Sequence, residues 1–213
     1  MMRVMRVRRV RRMRKIQENT MKKSKFAIDL NSPVILWMTG LSLGVLIIDM
    51  TTGGFMVRVF AAYRTSLADP LQYVRVFSHV LVHANMAHYV GNFMMMLAIG
   101  PMVEEKYGSR NLCWFVVITA LLTGLINVVF FPGKAVVGAS GIVFMLILLA
   151  SFTNIRQGRV PITVLLVAVL YIGNEIILGL FNDDNISRIS HITGGLCGAV
   201  GGAVFHARKH KPG

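Results

Sequence analysis

The sequence predicts an all-α membrane protein, a bundle of six transmembrane helices with a long interfacial first loop. Apolar residues make up 54% of the 213 residues and charged residues only 15%, whereas a soluble domain has about a quarter charged residues. Six apolar segments are each close to the ~20 residues that cross a bilayer core. They are 33–51, 85–103, 112–131, 136–153, 160–180 and 189–207.

The chain begins with a strongly basic tail. Residues 1–25 contain eleven of the 23 Lys and Arg residues. Such a tail beside apolar segments is typical of a cytoplasmic end that contacts anionic lipid headgroups, and this placement argues against a nucleic-acid partner. We therefore divide the chain into a basic cytoplasmic tail (1–32), a six-helix domain (33–207) and a second basic cytoplasmic tail (208–213).

The segment between the first two apolar runs differs from the other separators. Residues 52–84 are long and amphipathic, with aromatic residues among arginines. This pattern indicates a piece that lies at the membrane surface. The other separators are short and polar, for example residues 104–106 after the second segment and 182–185 after the fifth.

The distribution of basic residues predicts the orientation. With the N-terminus inside, eighteen Lys and Arg residues fall on the inner side and five on the outer side, which agrees with the positive-inside rule. Both termini are thus expected in the cytoplasm of a multi-pass cell-membrane protein. The second, fourth and sixth segments then run from outside to inside, so their first residues share the outer leaflet.

The polar residues that open these three segments form the candidate site, because polar groups in membrane helices are costly and usually functional. Ser140, between Gly138-Ala139 and Gly141, can offer an exposed hydroxyl and a backbone N–H at a helix start. His191 on the sixth segment is the candidate base that activates it. Since no acidic residue lies in the outer half of these segments, the residues indicate a dyad, a reduced form of the triad.

Other residues at the same depth extend this site. His88 and Asn92 are four apart, so they share one helix face and can aim two donors at an oxyanion. His83 is interpreted as a structural histidine. Gly194 and Gly198 belong to a stripe of small residues that favours close helix packing.

These residues resemble the motifs of the rhomboid family of intramembrane serine proteases. Residues 138–141 resemble its G-x-S-G motif, residues 83–92 its H-x4-H-x3-N motif, and residues 191–198 the motif on its last helix. The resemblance covers roughly residues 33–207. It implies the following roles: Ser140 and His191 as the dyad, His88, Asn92 and the Ser140 backbone as oxyanion donors, and His83, Gly138, Gly141, Gly194 and Gly198 in support.

The resemblance also implies an activity and a class of partner. Rhomboid proteases hydrolyse peptide bonds in or beside the transmembrane segments of other membrane proteins, through an acyl-enzyme and without a cofactor or metal. We expect the same of this chain, with a site that opens to the extracytoplasmic side.

Three positions depart from the family pattern. Arg75 resembles the arginine of the first-loop W-R pair, but Val74 stands where the family has Trp. Ser190 replaces the usual alanine before the histidine of the dyad. Phe144, one helical turn after the candidate nucleophile, stands where many bacterial members have a Tyr that stacks on that histidine; a Phe can still stack but lacks the hydroxyl group.

Four alternatives remain open. A catalytically silent rhomboid-like protein would bind membrane clients without cutting them. A transporter or channel would be expected to show internal repeats or charges near mid-membrane, and neither is evident. His83, His88 and His191 could bind zinc, although Ser140 and Asn92 would then have no role. A G-x-S-G taken alone is also compatible with simple helix packing.

Two further groups are interpreted by their position. Glu175, near the outer end of the fifth segment, is predicted to be structural or water-accessible, with substrate gating as the alternative. Cys113 and Cys197 fall in apolar segments, so both are predicted to be small core residues and not a disulfide or metal pair.

Overall fold

The computed structural model describes residues 31–153 and 185–209 together with positions 162, 166, 169 and 170. All regular elements in this part of the chain are helices. They are α1 (Pro33–Thr51), α2 (Phe55–Phe60), α3 (Pro70–Ser78) with a 3₁₀ turn (His79–Leu81), α4 (Met86–Tyr107), α5 (Ser109–Phe130), α6 (Ser140–Thr153) and α7 (Asn185–Lys209).

The all-α prediction is therefore confirmed for the described residues. Apart from those four positions, the fifth predicted segment, 160–180 with Glu175, lies outside them, as does almost all of the tail 1–32. The count of six helices thus stays a prediction. Among the described helices α1, α4 and α5 are long and apolar enough to span a membrane, and α6 contains a shorter apolar stretch, Ser140–Ser151.

The helix bounds agree with the predicted segments to different degrees. α1 has the predicted bounds. α6 begins at Ser140 and not at residue 136, because the preceding turn contains Gly138 with a φ of +110°. α4 continues to Tyr107, past the predicted end at residue 103.

Glu104 lies in the part of α4 that extends past the predicted end. We expected it in a polar separator, and this was wrong: its side chain is only 2% exposed. Its carboxylate accepts hydrogen bonds from the backbone N–H groups of Val34 (3.0 Å) and Ile35 (3.3 Å). A negative charge at the start of a helix satisfies free N–H groups and interacts favourably with the helix dipole. Glu104 therefore fixes the start of α1 to the end of α4.

Tyr107 brings four helix ends together. Its hydroxyl donates to the carbonyl oxygen of Leu149 on α6 (3.0 Å). Its ring lies 4.7 Å from that of Phe205 on α7 and 5.8 Å from that of Phe115 near the start of α5. α4, α6 and α7 therefore run in the same direction, and their first residues lie at the opposite end of the bundle. This common direction agrees with the predicted alternation of spans.

The first loop is folded onto α5. Gly124 lies against the backbone of Val76, at a point where any Cβ would collide with it. Asn127 donates from Nδ2 to the carbonyl oxygen of Ala62 (2.8 Å). Ala62 also pairs with Val136 through two backbone hydrogen bonds (3.0 and 2.9 Å). The loop is thereby tied to the segment that leads into α6.

The two cysteines lie in different environments. Cys113 is exposed, so its assignment to the core was wrong. The next residue, Trp114, is also exposed, at 59%. Cys197 on α7 is half-buried.

Glu104 gives a first prediction. Replacing it by Gln keeps one acceptor but removes the charge, and hydrogen bonds to charged groups contribute about 1.5–3 kcal/mol. We expect E104Q to lower the free energy of unfolding, measured by denaturation in mixed micelles, by roughly half of that amount. The neighbouring Glu105 is exposed, so E105Q should change it little. Equal effects of the two substitutions would contradict this role for Glu104.

Candidate active site

Ser140 is the first residue of α6 and is half-buried. The turn before it is held by the first loop. The backbone N–H of Gly138 donates to the carbonyl oxygen of His79 (2.9 Å), and that of Ala139 donates to Nε2 of His83 (3.3 Å). Two histidines therefore fix the backbone that presents the Ser140 hydroxyl.

His83 is fully buried between this turn and the start of α4. Its ring lies 5.1 Å from that of His88 in an edge-on arrangement and 5.5 Å from that of Phe93. Burial and then the neighbouring His88 lower the pKa of His83 to about 4. It is thus neutral at physiological pH, as an Nε2 that accepts a hydrogen bond must be.

His88 and Asn92 face the turn before Ser140. A Cβ placed on Gly138 would lie 2.6 and 2.8 Å from Cε1 and Nε2 of His88, and 3.5 Å from Nδ2 of Asn92. Position 138 therefore needs a glycine for two reasons, the positive φ and the close approach of His88. Asn92 Nδ2 is buried and has no hydrogen-bond partner among the described residues. This leaves a hydrogen-bond donor close to the N-terminus of α6.

His191 is buried on α7 and stacks on Phe144 of α6, with ring centroids 4.4 Å apart and an interplanar angle of 11°. Phe144 therefore stacks on this histidine without a hydroxyl group. Phe144 is four residues after Ser140, so the two share one face of α6. The stack brings the His191 imidazole to that face.

Glycines allow α6 and α7 to approach each other this closely. A Cβ on Gly194 would collide with the carbonyl oxygen of Gly141, and one on Gly198 with that of Met145. A Cβ on Gly141 would lie 3.3 Å from the carbonyl oxygen of Ser190, the residue before His191. The backbones of the two helices are thus in direct contact beside the candidate dyad.

Arg75 does not join this cluster. It is buried in the first loop, where Nε donates to the carbonyl oxygen of Val59 (2.9 Å) and Nη1 pairs with Asp69 (2.8 Å). Its guanidinium lies 4.4 Å from the centre of the Tyr63 ring. Val74, in contrast, is 46% exposed. Arg75 thus organises the loop, and the position of the missing Trp faces outward.

Sequence reasoning missed His79. It is buried, and its Nε2 donates to the carbonyl oxygen of Ala120 on α5 (3.2 Å). Burial lowers the pKa of His79 to about 4, against the opposing effect of that carbonyl. The available signal was its spacing of four from His83, which repeats the spacing of His88 and Asn92.

The zinc alternative gains no support from the described residues. In that part of the chain no group of three or more His, Cys, Asp or Glu side chains is arranged to hold a metal ion. His83 also uses Nε2 to accept a hydrogen bond from the Ala139 N–H, and a lone pair engaged in this way is not available to a metal at the same time.

Comparison with known proteins gives the same family as the sequence motifs. The Rhomboid domain model matches residues 70–208, more than half of the chain. The chain therefore belongs to the rhomboid family. Mouse rhomboid-related protein 2 is 30% identical over 145 residues, which cover 62% of this chain and 48% of that protein.

Bacterial relatives match a longer stretch at lower identity. Rhomboid protease GlpG from Yersinia pestis and that from Yersinia pseudotuberculosis are both 26% identical over 174 residues, covering 79% of this chain and 61% of theirs. The chain thus spans about half to three-fifths of the length of these relatives.

Adjacent glycines on α7 give a second prediction. Gly194→Ala places a methyl group against the Gly141 carbonyl oxygen and should lower the free energy of unfolding by ~1–3 kcal/mol, as overpacking does. Gly195→Ala is the matched control, because its Cβ would lie 3.8 Å from Leu148 in ordinary contact. It should be neutral or slightly stabilising. Denaturation in mixed micelles measures both, and a G194A protein as stable as G195A would contradict the contact.

Proposed function

We propose that this chain is an intramembrane serine endopeptidase in which Ser140 is the nucleophile and His191 its base. The observation that carries the proposal is the stack of His191 on Phe144, one helical turn from Ser140 on the same face of α6. Membership of the rhomboid family and its relatives named rhomboid proteases support the same reaction.

In the proposed reaction His191 accepts the proton of the Ser140 hydroxyl while the oxygen attacks a substrate carbonyl. The resulting oxyanion receives hydrogen bonds from the Ser140 backbone N–H and the side chains of His88 and Asn92. His191 then gives its proton to the leaving amine, and an acyl-enzyme remains on Ser140. Water, activated by His191, hydrolyses this ester and restores the serine.

Asn92 supports the oxyanion role most directly. A buried donor without a partner is costly, and it calls for an explanation. Its Nδ2 faces Gly138, two residues before the N-terminus of α6. An oxyanion bound to Ser140 would accept a hydrogen bond from it there.

The proposed substrates are transmembrane segments of other membrane proteins. The enzyme would lie in the cell membrane with both termini in the cytoplasm and its site open to the extracytoplasmic side, and its basic N-terminal tail would contact anionic headgroups. The mechanism proposed needs neither a cofactor nor a metal. Water must reach the site, and half-exposure of Ser140 is compatible with this.

Cleavage of a model transmembrane substrate by the detergent-solubilised protein tests the proposal. We expect Ser140→Ala to abolish cleavage, because the acyl-enzyme cannot form. Ser151→Ala is the matched control on the same helix, where that hydroxyl only donates to the carbonyl oxygen of Ile147 (3.1 Å). Cleavage that persists in S140A would exclude the serine mechanism.

A covalent serine-directed probe separates the enzyme from a catalytically silent member of the family. The probe should label Ser140 in the unmodified chain, and His191→Ala should abolish labelling because the base is lost. A folded wild-type protein that neither reacts with the probe nor cleaves a panel of transmembrane substrates would favour the silent client-binding protein.

Substitution of Asn92 tests the oxyanion role. Loss of one oxyanion donor typically costs about 10²–10³-fold in kcat. We expect Asn92→Ala to lower kcat by such a factor with little change in KM, since the hydrogen bond forms only in the transition state. Thermal unfolding in micelles serves as the check on folding. A variant with unchanged kcat, or with only a raised KM, would contradict this role.

A further inference from the structure

A long apolar groove runs between α5 and α7 on the outside of the bundle, with a volume of about 630 Å³. It extends from Thr193, two residues after His191, to Phe205 near the end of α7. At 1.5 Å per helical residue this is about 18 Å. One leaflet of a bilayer core is about half of 30 Å thick, so the groove matches the length of one leaflet's hydrocarbon.

Two rows of large side chains form its rims. In each row the residues are four apart, so they lie on one face of their helix, and all are substantially exposed. The rows are Trp114, Ile118 and Leu122 on α5, and Leu196, Val200 and Val204 on α7.

Both rows continue to an arginine at the same end. The position before Trp114 in the α5 row is Arg110, which is exposed, and the position after Val204 in the α7 row is residue 208, also an arginine. Asn111 and Phe205 both line the groove at this end, which is the end predicted to be cytoplasmic. The apolar groove therefore finishes beside the exposed Arg110, one helical turn before an exposed Trp.

We propose that this groove binds one acyl chain of an anionic phospholipid of the inner leaflet, whose phosphate lies at the Arg110 end. Apolar walls suit the chain, and an arginine suits the phosphate because its guanidinium can donate two parallel hydrogen bonds. An exposed Trp at the headgroup level is typical of a membrane interface. The proposal concerns lipid binding and does not depend on the proposed catalysis.

The groove is less suited to a protein helix. Helix pairs in membranes approach through small residues, whereas the rims here carry Trp114 and branched aliphatic side chains. Three smaller residues also line it, Thr193, Cys197 and Gly201, and Gly201 is covered by the ring of Phe115, at 2.8 Å from the position of a Cβ. A flexible chain can fill such an irregular groove more easily than a second copy of this protein.

Fluorescence of Trp114 tests the proposal on the intact protein. The sequence has two Trp residues, so Trp37→Phe leaves Trp114 as the only reporter. This reference protein is placed in phosphatidylcholine vesicles with a small fraction of brominated phosphatidylglycerol or brominated phosphatidylcholine. One arginine near an anionic headgroup should favour the anionic lipid about fivefold. We therefore expect clearly stronger quenching by the brominated phosphatidylglycerol.

Two matched pairs of variants locate the headgroup and the chain. Arg110→Gln should remove the preference for the anionic lipid, whereas Arg64→Gln, an exposed arginine of the first loop, should retain it. Val200→Phe fills the groove and should reduce quenching by the anionic lipid. Val117→Phe, on α5 but outside the groove, should not.

Three results would overturn the proposal. Equal quenching of the reference protein by the two lipids would show that no anionic headgroup is preferred. Weak quenching by both would show that a protein surface, such as a second copy of the chain, covers the groove. A preference that survives both Arg110→Gln and Val200→Phe would place the anionic lipid elsewhere.

Discussion

The direct contact between the backbones of α6 and α7 is the constraint on which the candidate site depends. Carbonyl oxygens of α6 occupy the space where Gly194 and Gly198 would carry a Cβ. In a membrane, helices gain little from the hydrophobic effect and associate through close packing. Glycine at these positions therefore stabilises the helix pair, and it also sets the 4.4 Å separation between the rings of His191 and Phe144.

The turn before α6 is held by the first loop, through backbone N–H groups that need hydrogen-bond partners. Away from water each unpaired backbone group costs several kcal/mol. The N–H groups of Gly138 and Ala139 are satisfied by the carbonyl oxygen of His79 and the imidazole of His83. The helix contact and these hydrogen bonds together determine where the Ser140 hydroxyl lies. Asn92 Nδ2, which faces the same turn, is buried and has no hydrogen-bond partner among the described residues.

Much of this arrangement could be predicted from the sequence. Hydropathy marks the spans, and because successive spans alternate in direction, α4, α6 and α7 are predicted to run the same way. The bounds of α1 follow from that, and so does the meeting of polar residues near the starts of α4 and α6 and in the second turn of α7. Buried polar partners could not be predicted in the same way. Glu104 stands in a charged run like any separator, and only the N–H groups of Val34 and Ile35 make its burial favourable. His79 needs the Ala120 carbonyl for the same reason.

The departures from the rhomboid pattern at Val74 and Phe144 do not affect the residues that react in the proposed mechanism. The loop contacts of Arg75 go to the Val59 carbonyl, Asp69 and Tyr63, and none of them needs a large side chain at position 74. Adjacent helical residues point in different directions, so the loss of Trp changes an exposed surface and leaves this network intact. Phe144 keeps the nearly parallel stack on His191 and lacks only a hydroxyl. Neither change removes a group that makes or breaks a bond in the proposed reaction, whereas a silent member of the family would be expected to lose one.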